Sequence, residues 1–130
     1  MKNVIPYLFT ANCSEALEYY KRIFGGETKN IQPANPQMFK NAEGKLMHAE
    51  LHINSSCILY MADIFESKPD GSQISLLIEA DNEEEINRLF NELKRGGTVQ
   101  FELQKTFWGA YHAVLTDKYG IHWSLNFSVK

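Results

Sequence analysis

Asn12-Cys13-Ser14-Glu15-Ala16-Leu17-Glu18-Tyr19-Tyr20-Lys21-Arg22-Ile23-Phe24-Gly25-Gly26 is the stretch on which the fold turns. Asn12 can accept a hydrogen bond from an early helix N–H, and Glu15 can reach back to it, as in a capping box. Leu17, Tyr20 and Phe24 follow at helical spacing with Ala16 and Ile23 beside them. Lys21 and Arg22 sit in the last turns, where the helix dipole favours cations. Gly25-Gly26 ends the helix, since glycine adopts the left-handed C-cap geometry at little cost. The spacing predicts a helix near residues 14–24. The pattern returns further along. Asp81-Asn82-Glu83-Glu84 opens a second helix near 82–95, Ile86, Leu89, Phe90 and Leu93 form its apolar stripe, and Lys94-Arg95-Gly96-Gly97 closes it.

The segments between the helices repeat as well. Val4 to Phe9 is apolar and β-rich, with Pro6 favouring an edge or a strand start. A strand from Glu27 to Ile31 leads to a loop holding Pro33, Asn35 and Pro36. Leu46 to Ile53 then alternates: Met47, Ala49, Leu51 and Ile53 point one way, and His48, Glu50 and His52 the other. Asn54-Ser55 turns it into a strand from Cys57 to Ala62. After the second helix come strands at Thr98 to Gln104, Tyr111 to Thr116 and His122 to Phe127, with Asp117-Lys118-Tyr119-Gly120 as the last hairpin turn. Gln73 to Ala80 is the strand that opens this half. Each half therefore reads strand, helix, strand, strand, strand. The expected class is α+β: two βαβββ modules forming a curved mixed sheet, with helices on the convex face and a concave cup on the other. The boundaries are module one 1–64, linker 65–72 through the polar run Glu66 to Ser72, and module two 73–130, all in a single domain 1–130.

Composition narrows the function classes. Of 130 residues, 44% are hydrophobic and 22% charged, an ordinary globular balance. A formal charge of −3 argues against a nucleic-acid partner. No apolar run approaches the ~20 residues that span a bilayer, so no membrane partner is expected. The N-terminus lacks a signal peptide's apolar region and the two cysteines, Cys13 and Cys57, form no CxxC pair, which together predict a cytoplasmic protein. Cys13 stands at a helix start, where a thiolate is favoured, but no partner base is evident. Cys57 is expected to pack in an apolar strand.

Six segments carry a family resemblance: Ile5-Pro6-Tyr7-Leu8; Glu15 to Tyr20; Phe24-Gly25-Gly26; Met47-His48-Ala49-Glu50-Leu51; Thr106-Phe107-Trp108-Gly109; and Asp117-Lys118-Tyr119-Gly120 running into Trp123-Ser124-Leu125. With the duplicated βαβββ order, they resemble the PhnB-like branch of the vicinal oxygen chelate superfamily, which includes glyoxalase I, bleomycin-resistance proteins and extradiol dioxygenases. The branch is often labelled 3-demethylubiquinone 3-methyltransferase-like. The chain has no GxGxG, and its paired glycines stand at helix C-termini, where no anion is favoured, so a methyltransferase reading does not follow.

The resemblance implies ligand positions for the metal-dependent members: near Ile5 to Tyr7 on the first strand, Leu59 or Tyr60 on the fourth, Ser75 on the fifth and Ser124 on the last. None holds the His or Glu that such members use, so neither the standard metal nor another cofactor is expected. His48-x-Glu50-x-His52 is the one candidate for an atypical metal site, since same-face neighbours on a strand lie ~6.6 Å apart. The bland reading, a hydrogen-bonded polar strand face, is preferred. Site expectations are therefore a small-molecule ligand in a cup lined by His48, Glu50, Ser75, His122 and Ser124, with Trp108 and Tyr111 near its mouth, in a homodimer. The catalytic residues are left unknown. The alternative is a lyase, isomerase or oxygenase with an atypical metal or none.

Overall fold

The computed structural model describes residues 2–65, 74–106 and 109–128. The chain divides into two compact units, Met1–Pro69 and Asp70–Lys130. The first contains β1 (Tyr7–Thr10), α1 (Cys13–Phe24), β2 (Glu27–Pro33), β3 (Leu46–His52) and β4 (Ile58–Asp63). The second contains β5 (Leu76–Glu79), α2 (Glu83–Leu93), β6 (Thr98–Lys105), β7 (Ala110–Thr116) and β8 (His122–Ser128). Each unit forms one four-stranded mixed sheet, ordered β1-β4-β3-β2 and β5-β8-β7-β6. In both, the first strand pairs parallel with the last and the other pairings are antiparallel. The duplicated α+β order is thus realised as two sheets, each with its own helix.

The helices form where capping and periodicity place them. Asn12 adopts a left-handed conformation, φ 55°, and its Oδ1 accepts from the Glu15 N–H at 3.3 Å, while its amide donates to the Glu15 carboxylate at 3.1 Å. Asn82 caps α2 through the Glu85 N–H at 2.8 Å, and Glu85 reaches back to the Asp81 N–H at 2.8 Å. On α1, Ala16, Leu17, Tyr20 and Ile23 are buried, and the helix packs on β3 and β4, where Ala49, Leu51 and Met61 are buried. On α2, Ile86, Leu89, Phe90 and Leu93 are buried, and the helix packs on β7 and β8, where Ala113, Leu115, Trp123 and Leu125 are buried.

The glycine doublets have two jobs, not one. The first glycine takes positive φ, 80° at Gly25 and 74° at Gly96. The second lets a strand approach: a Cβ on Gly26 would lie 2.4 Å from the His52 carbonyl oxygen, and one on Gly97 2.2 Å from that of Thr116. Those oxygens belong to equivalent positions. Ala49 pairs with Met61 and Leu8 with Met61; Ala113 pairs with Leu125 and Ile78 with Leu125. By this register His48 corresponds to His112, His52 to Thr116, Tyr60 to Ser124 and Tyr7 to Leu77.

Two buried carboxylates fix loop ends. Asp63 accepts from the Cys13 N–H at 2.9 Å and the Leu46 N–H at 2.7 Å, tying the starts of α1 and β3 to the end of β4. Asp117 accepts from the Tyr119 and Ile121 N–H groups at 2.8 and 3.1 Å and from the Trp123 indole at 2.8 Å, which explains the hairpin turn. Some boundaries differ from expectation. β1 begins at Tyr7 because Pro6 offers no N–H; its carbonyl instead accepts from the Tyr60 N–H at 3.0 Å. β4 begins at Ile58 rather than Cys57, because the Asn54 side chain holds the Ser56 and Cys57 N–H groups in the turn at 2.8 and 2.9 Å. α2 ends at Leu93, and β5 is short, with Ser75 just before it. Among the described residues, no helix is long and apolar enough to cross a membrane.

Candidate functional site

The alternation of β3 sends Ala49 and Leu51 under α1 and leaves His48, Glu50 and His52 on the opposite face. There they join in one row. Glu50 Oε2 lies 2.7 Å from His48 Nε2, Glu50 Oε1 lies 2.7 Å from His52 Nε2, and Asn30 donates to Oε1 at 3.1 Å. His48 Nδ1 is 3.0 Å from the Tyr7 hydroxyl. Asn30 reaches Glu50 from an irregular point of β2, where the register shifts between Lys29 and Gln32 and Asn30 has φ 53°. The Tyr60 ring meets the edges of both Tyr7 and His48, at centroid distances of 5.9 and 4.9 Å, and Phe9 stacks on Tyr7 at 4.9 Å.

Charge on this row is set by opposing effects. Burial alone would raise the Glu50 carboxyl; the hydrogen bonds from His48, His52 and Asn30 outweigh it and hold the group down at about 2. Glu50 is therefore a carboxylate at neutral pH, buried at 6% exposure, with an imidazole on each oxygen. Burial, then the neighbouring Cys13, Glu50 and Tyr60, pushes the Tyr7 phenol up, so it keeps its proton.

The other expected residues fall in several places. Ser75 and Ser124 come together, their hydroxyls 2.8 Å apart. His122, on the same face of β8 as Ser124, has its Nδ1 2.8 Å from the Thr116 hydroxyl, which donates to Gln100 at 3.4 Å. Tyr111 is not with them. It shares the face of Ala113 and Leu115, on the helix side of β7; its ring stacks with Phe127, and the Glu83 carboxylate accepting from its hydroxyl pushes that hydroxyl's pKa up. Trp108 lies outside the described residues. Cys57 is exposed in the turn before β4, not packed in a strand. Cys13 is buried, and burial followed by the nearby Asp63 pushes its thiol up to about 12, which removes the thiolate that a helix start would favour.

Residues absent from the expected set are Tyr7, Tyr60 and Asn30 in the first unit, and His112, Asn126 and Glu79 in the second. Asn126 donates to both Glu79 oxygens at 3.0 and 3.2 Å and faces His112 Nδ1 with its Oδ1 at 3.3 Å. Strand parity places all of them but Asn30 on their sheet's polar face; Asn30, next to the Lys29 that pairs with Glu50, reaches that face only through the irregularity of β2. A separate open groove of about 970 Å³ is lined by Ser14, Pro33, Phe39, Lys40, Lys45 and Leu46. It shares no residue with the histidine row and gathers no acid–base pair of that kind.

Residues 4–125 match the model of the Glyoxalase/Bleomycin resistance protein/Dioxygenase superfamily. The chain belongs to that superfamily. It is 30% identical to Protein YjdN of Escherichia coli K12, over 93% of this chain and 92% of that one. Protein PA1353 of Pseudomonas aeruginosa superposes with a TM-score of 0.86 at 31% identity, with all of both chains covered. A putative 3-demethylubiquinone-9 3-methyltransferase, PhnB protein, of Bacillus cereus has the same fold, with a TM-score of 0.83 at 23% identity over 98% of this chain and 100% of that one.

The superfamily's metal-dependent members raise the question of fit. The ligand positions that the resemblance implies, near Ile5 to Tyr7, at Leu59 or Tyr60, at Ser75 and at Ser124, hold no His, Cys, Asp or Glu, and the two serine hydroxyls bond to each other. Protonated hydroxyls are weak ligands for the borderline metals that imidazole and carboxylate hold. The histidine row does not make up the set, since its two imidazoles take opposite oxygens of one carboxylate. Among the described residues no three His, Cys, Asp or Glu side chains are arranged to hold a metal ion.

Proposed function

We propose that this member of the superfamily binds a small organic molecule on the polar sheet face of its first unit, and that it does so without the metal of the metal-dependent members. The supporting observation is the row Tyr7–His48–Glu50–His52. It presents a fixed set of hydrogen-bonding groups beside exposed aromatic rings, on the face that the helix does not cover. Binding sites of this type combine apolar ring surface with a few placed polar groups. His48 and Glu50 are retained as ligand-binding residues, and Tyr7 joins them. On the second unit, Ser75, His122 and Ser124 remain proposed ligand contacts of their own sheet's polar face. A hydroxyl-lined face serves binding rather than Lewis-acid chemistry.

A fragment screen by amide chemical shifts, run beside elemental analysis of the purified protein, tests this reading. Binders are expected to shift resonances of β1, β3 and β4, and His48→Ala is expected to weaken them. About one zinc, nickel, manganese or iron per chain, lost in His48→Ala or His52→Ala, would replace the proposal with an atypical metal site and a lyase, isomerase or oxygenase reading. A screen without binders at that face would also overturn it.

A further inference from the structure

The row of side chains on β3 has a direction, and the direction follows from Glu50. An ionised carboxylate only accepts hydrogen bonds. Both contacts at 2.7 Å must therefore be donated by imidazole, so His48 and His52 each carry a proton on Nε2. A neutral His48 then has a bare Nδ1. The Tyr7 hydroxyl, 3.0 Å away, must donate to it. Its hydrogen is committed inward, and its lone pairs are left for whatever approaches. Tyr7 is 42% exposed, so they can be reached. Phe9, 54% exposed and stacked on the Tyr7 ring with only 4° between the planes, supplies flat apolar surface next to that oxygen.

We propose that the Tyr7 hydroxyl is a ligand-contacting group whose hydrogen-bonding sense is set by His48. With His48 neutral it accepts from a planar ligand that carries an N–H or O–H donor; with His48 protonated it donates to a ligand oxygen. Protonation gives His48 a second N–H, now on Nδ1. That N–H donates to the Tyr7 oxygen, and the phenolic hydrogen turns outward. Glu50 stays ionised through this change and keeps its bond to Nε2. The titratable and charged groups around His48 are Glu50 and His52 on β3, Glu27 and Lys29 on β2 opposite His52 and Glu50, Tyr60 on β4, and Tyr7 on β1. From α1, Cys13 acts on Tyr7 and is a protonated thiol. Among these, His48 is the group whose ring nitrogen contacts the phenol directly. The inference rests on the binding reading above and specifies its ligand class.

Indole and benzofuran are suitable probes, because they share a shape while only indole donates. At about pH 8, amide-shift titrations are expected to give indole about five-fold tighter binding than benzofuran, the worth of one neutral hydrogen bond. The preference is expected to vanish in Tyr7→Phe, which removes one oxygen and keeps the ring, and to vanish or reverse in acid wherever ring-nitrogen shifts show His48 protonated. Ring-nitrogen shifts provide a second readout that needs no ligand: neutral His48 is expected as the Nε2–H tautomer, and an Nδ1–H tautomer overturns the proposal. Equal binding of the two probes at this face overturns the proposal but leaves small-molecule binding standing. A preference that survives in Tyr7→Phe also overturns it. Absence of shifts from both probes overturns it as well, and together with an empty fragment screen removes the binding reading too.

Discussion

Replacing Glu50 with Gln should cost stability that depends on pH. Glu50 accepts three side-chain hydrogen bonds, two at 2.7 Å from imidazoles and one at 3.1 Å from Asn30, and is 6% exposed. Bonds to a charged acceptor contribute about 1.5–3 kcal/mol each and neutral ones about 0.5–1.5 kcal/mol. Gln removes the charge and has one oxygen for the two imidazoles. Its amide must point N–H groups at either His48 or His52, which must then change tautomer or lose its bond. Solvent at the rims of the imidazoles screens part of this, so the expected loss at neutral pH is about 2–3 kcal/mol. The folded value of about 2 lies below the ordinary 4.5, so the ionised group stabilises the fold. That contribution is complete above the unfolded value near 4.5 and is lost as pH falls through about 2. Urea denaturation of wild type and Glu50→Gln should show a gap at neutral pH that shrinks to under about half by pH 2.5. A gap below about 0.5 kcal/mol at neutral pH, or one that does not change with pH, refutes the charged-row account.

Gly97→Ala should destabilise the second unit by about 2–3 kcal/mol, because its Cβ meets the Thr116 carbonyl at 2.2 Å, a backbone atom that cannot turn aside. Gly25→Ala meets nothing within 4 Å, so its cost, about 1–3 kcal/mol, should come from backbone strain at φ 80° and ψ −166° alone; a loss below about 0.5 kcal/mol for Gly97→Ala in urea denaturation would refute the close approach of the Thr116 strand. Self-association is also expected, since Phe9 and Leu77 lie 54% and 60% exposed on strands at the ends of their sheets. Sedimentation should give a dimer that Phe9→Lys weakens, and a monomer at micromolar concentration would overturn that expectation.

What the sequence made legible was local. The caps at Asn12 and Asn82, the apolar stripes, the strict alternation of β3 and the Asp117 turn each depend on residues close in the chain, and each is found as the periodicity predicts. Tyr7 was hidden because its link to His48 spans 41 positions and needs β1 and β3 to flank β4, a parallel pairing that no nearby residue announces. The side of β7 on which Tyr111 stands was hidden for a different reason. In Ala110-Tyr111-His112-Ala113-Val114-Leu115-Thr116 apolar residues occur on both faces, so the pattern does not say which face meets the helix. Cys57 was drawn into a strand by its apolar neighbours, while Asn54 extended the turn through it.

The register brings out something that residue identity does not. His48 and His112 stand at the same place in their modules, each next to a fully buried alanine, Ala49 or Ala113. Their partners differ. Glu50, on the same strand as His48, has Val114 as its counterpart; Asn126, on the strand next to His112, has Ala62. In the first module an acid from the same strand takes the proton-bearing Nε2 of its histidine. In the second, Asn126 must turn its NH2 toward Glu79, because carboxylate oxygens accept, and so its Oδ1 faces His112 and accepts a hydrogen bond from its Nδ1–H. The two histidines are thereby held in opposite tautomers. Equivalent positions of the two modules thus both hold a histidine, oriented from its own strand in the first and from the neighbouring strand in the second. The two polar faces therefore present different hydrogen-bonding groups, and among the described residues the carboxylate held between two imidazoles stands in the first module.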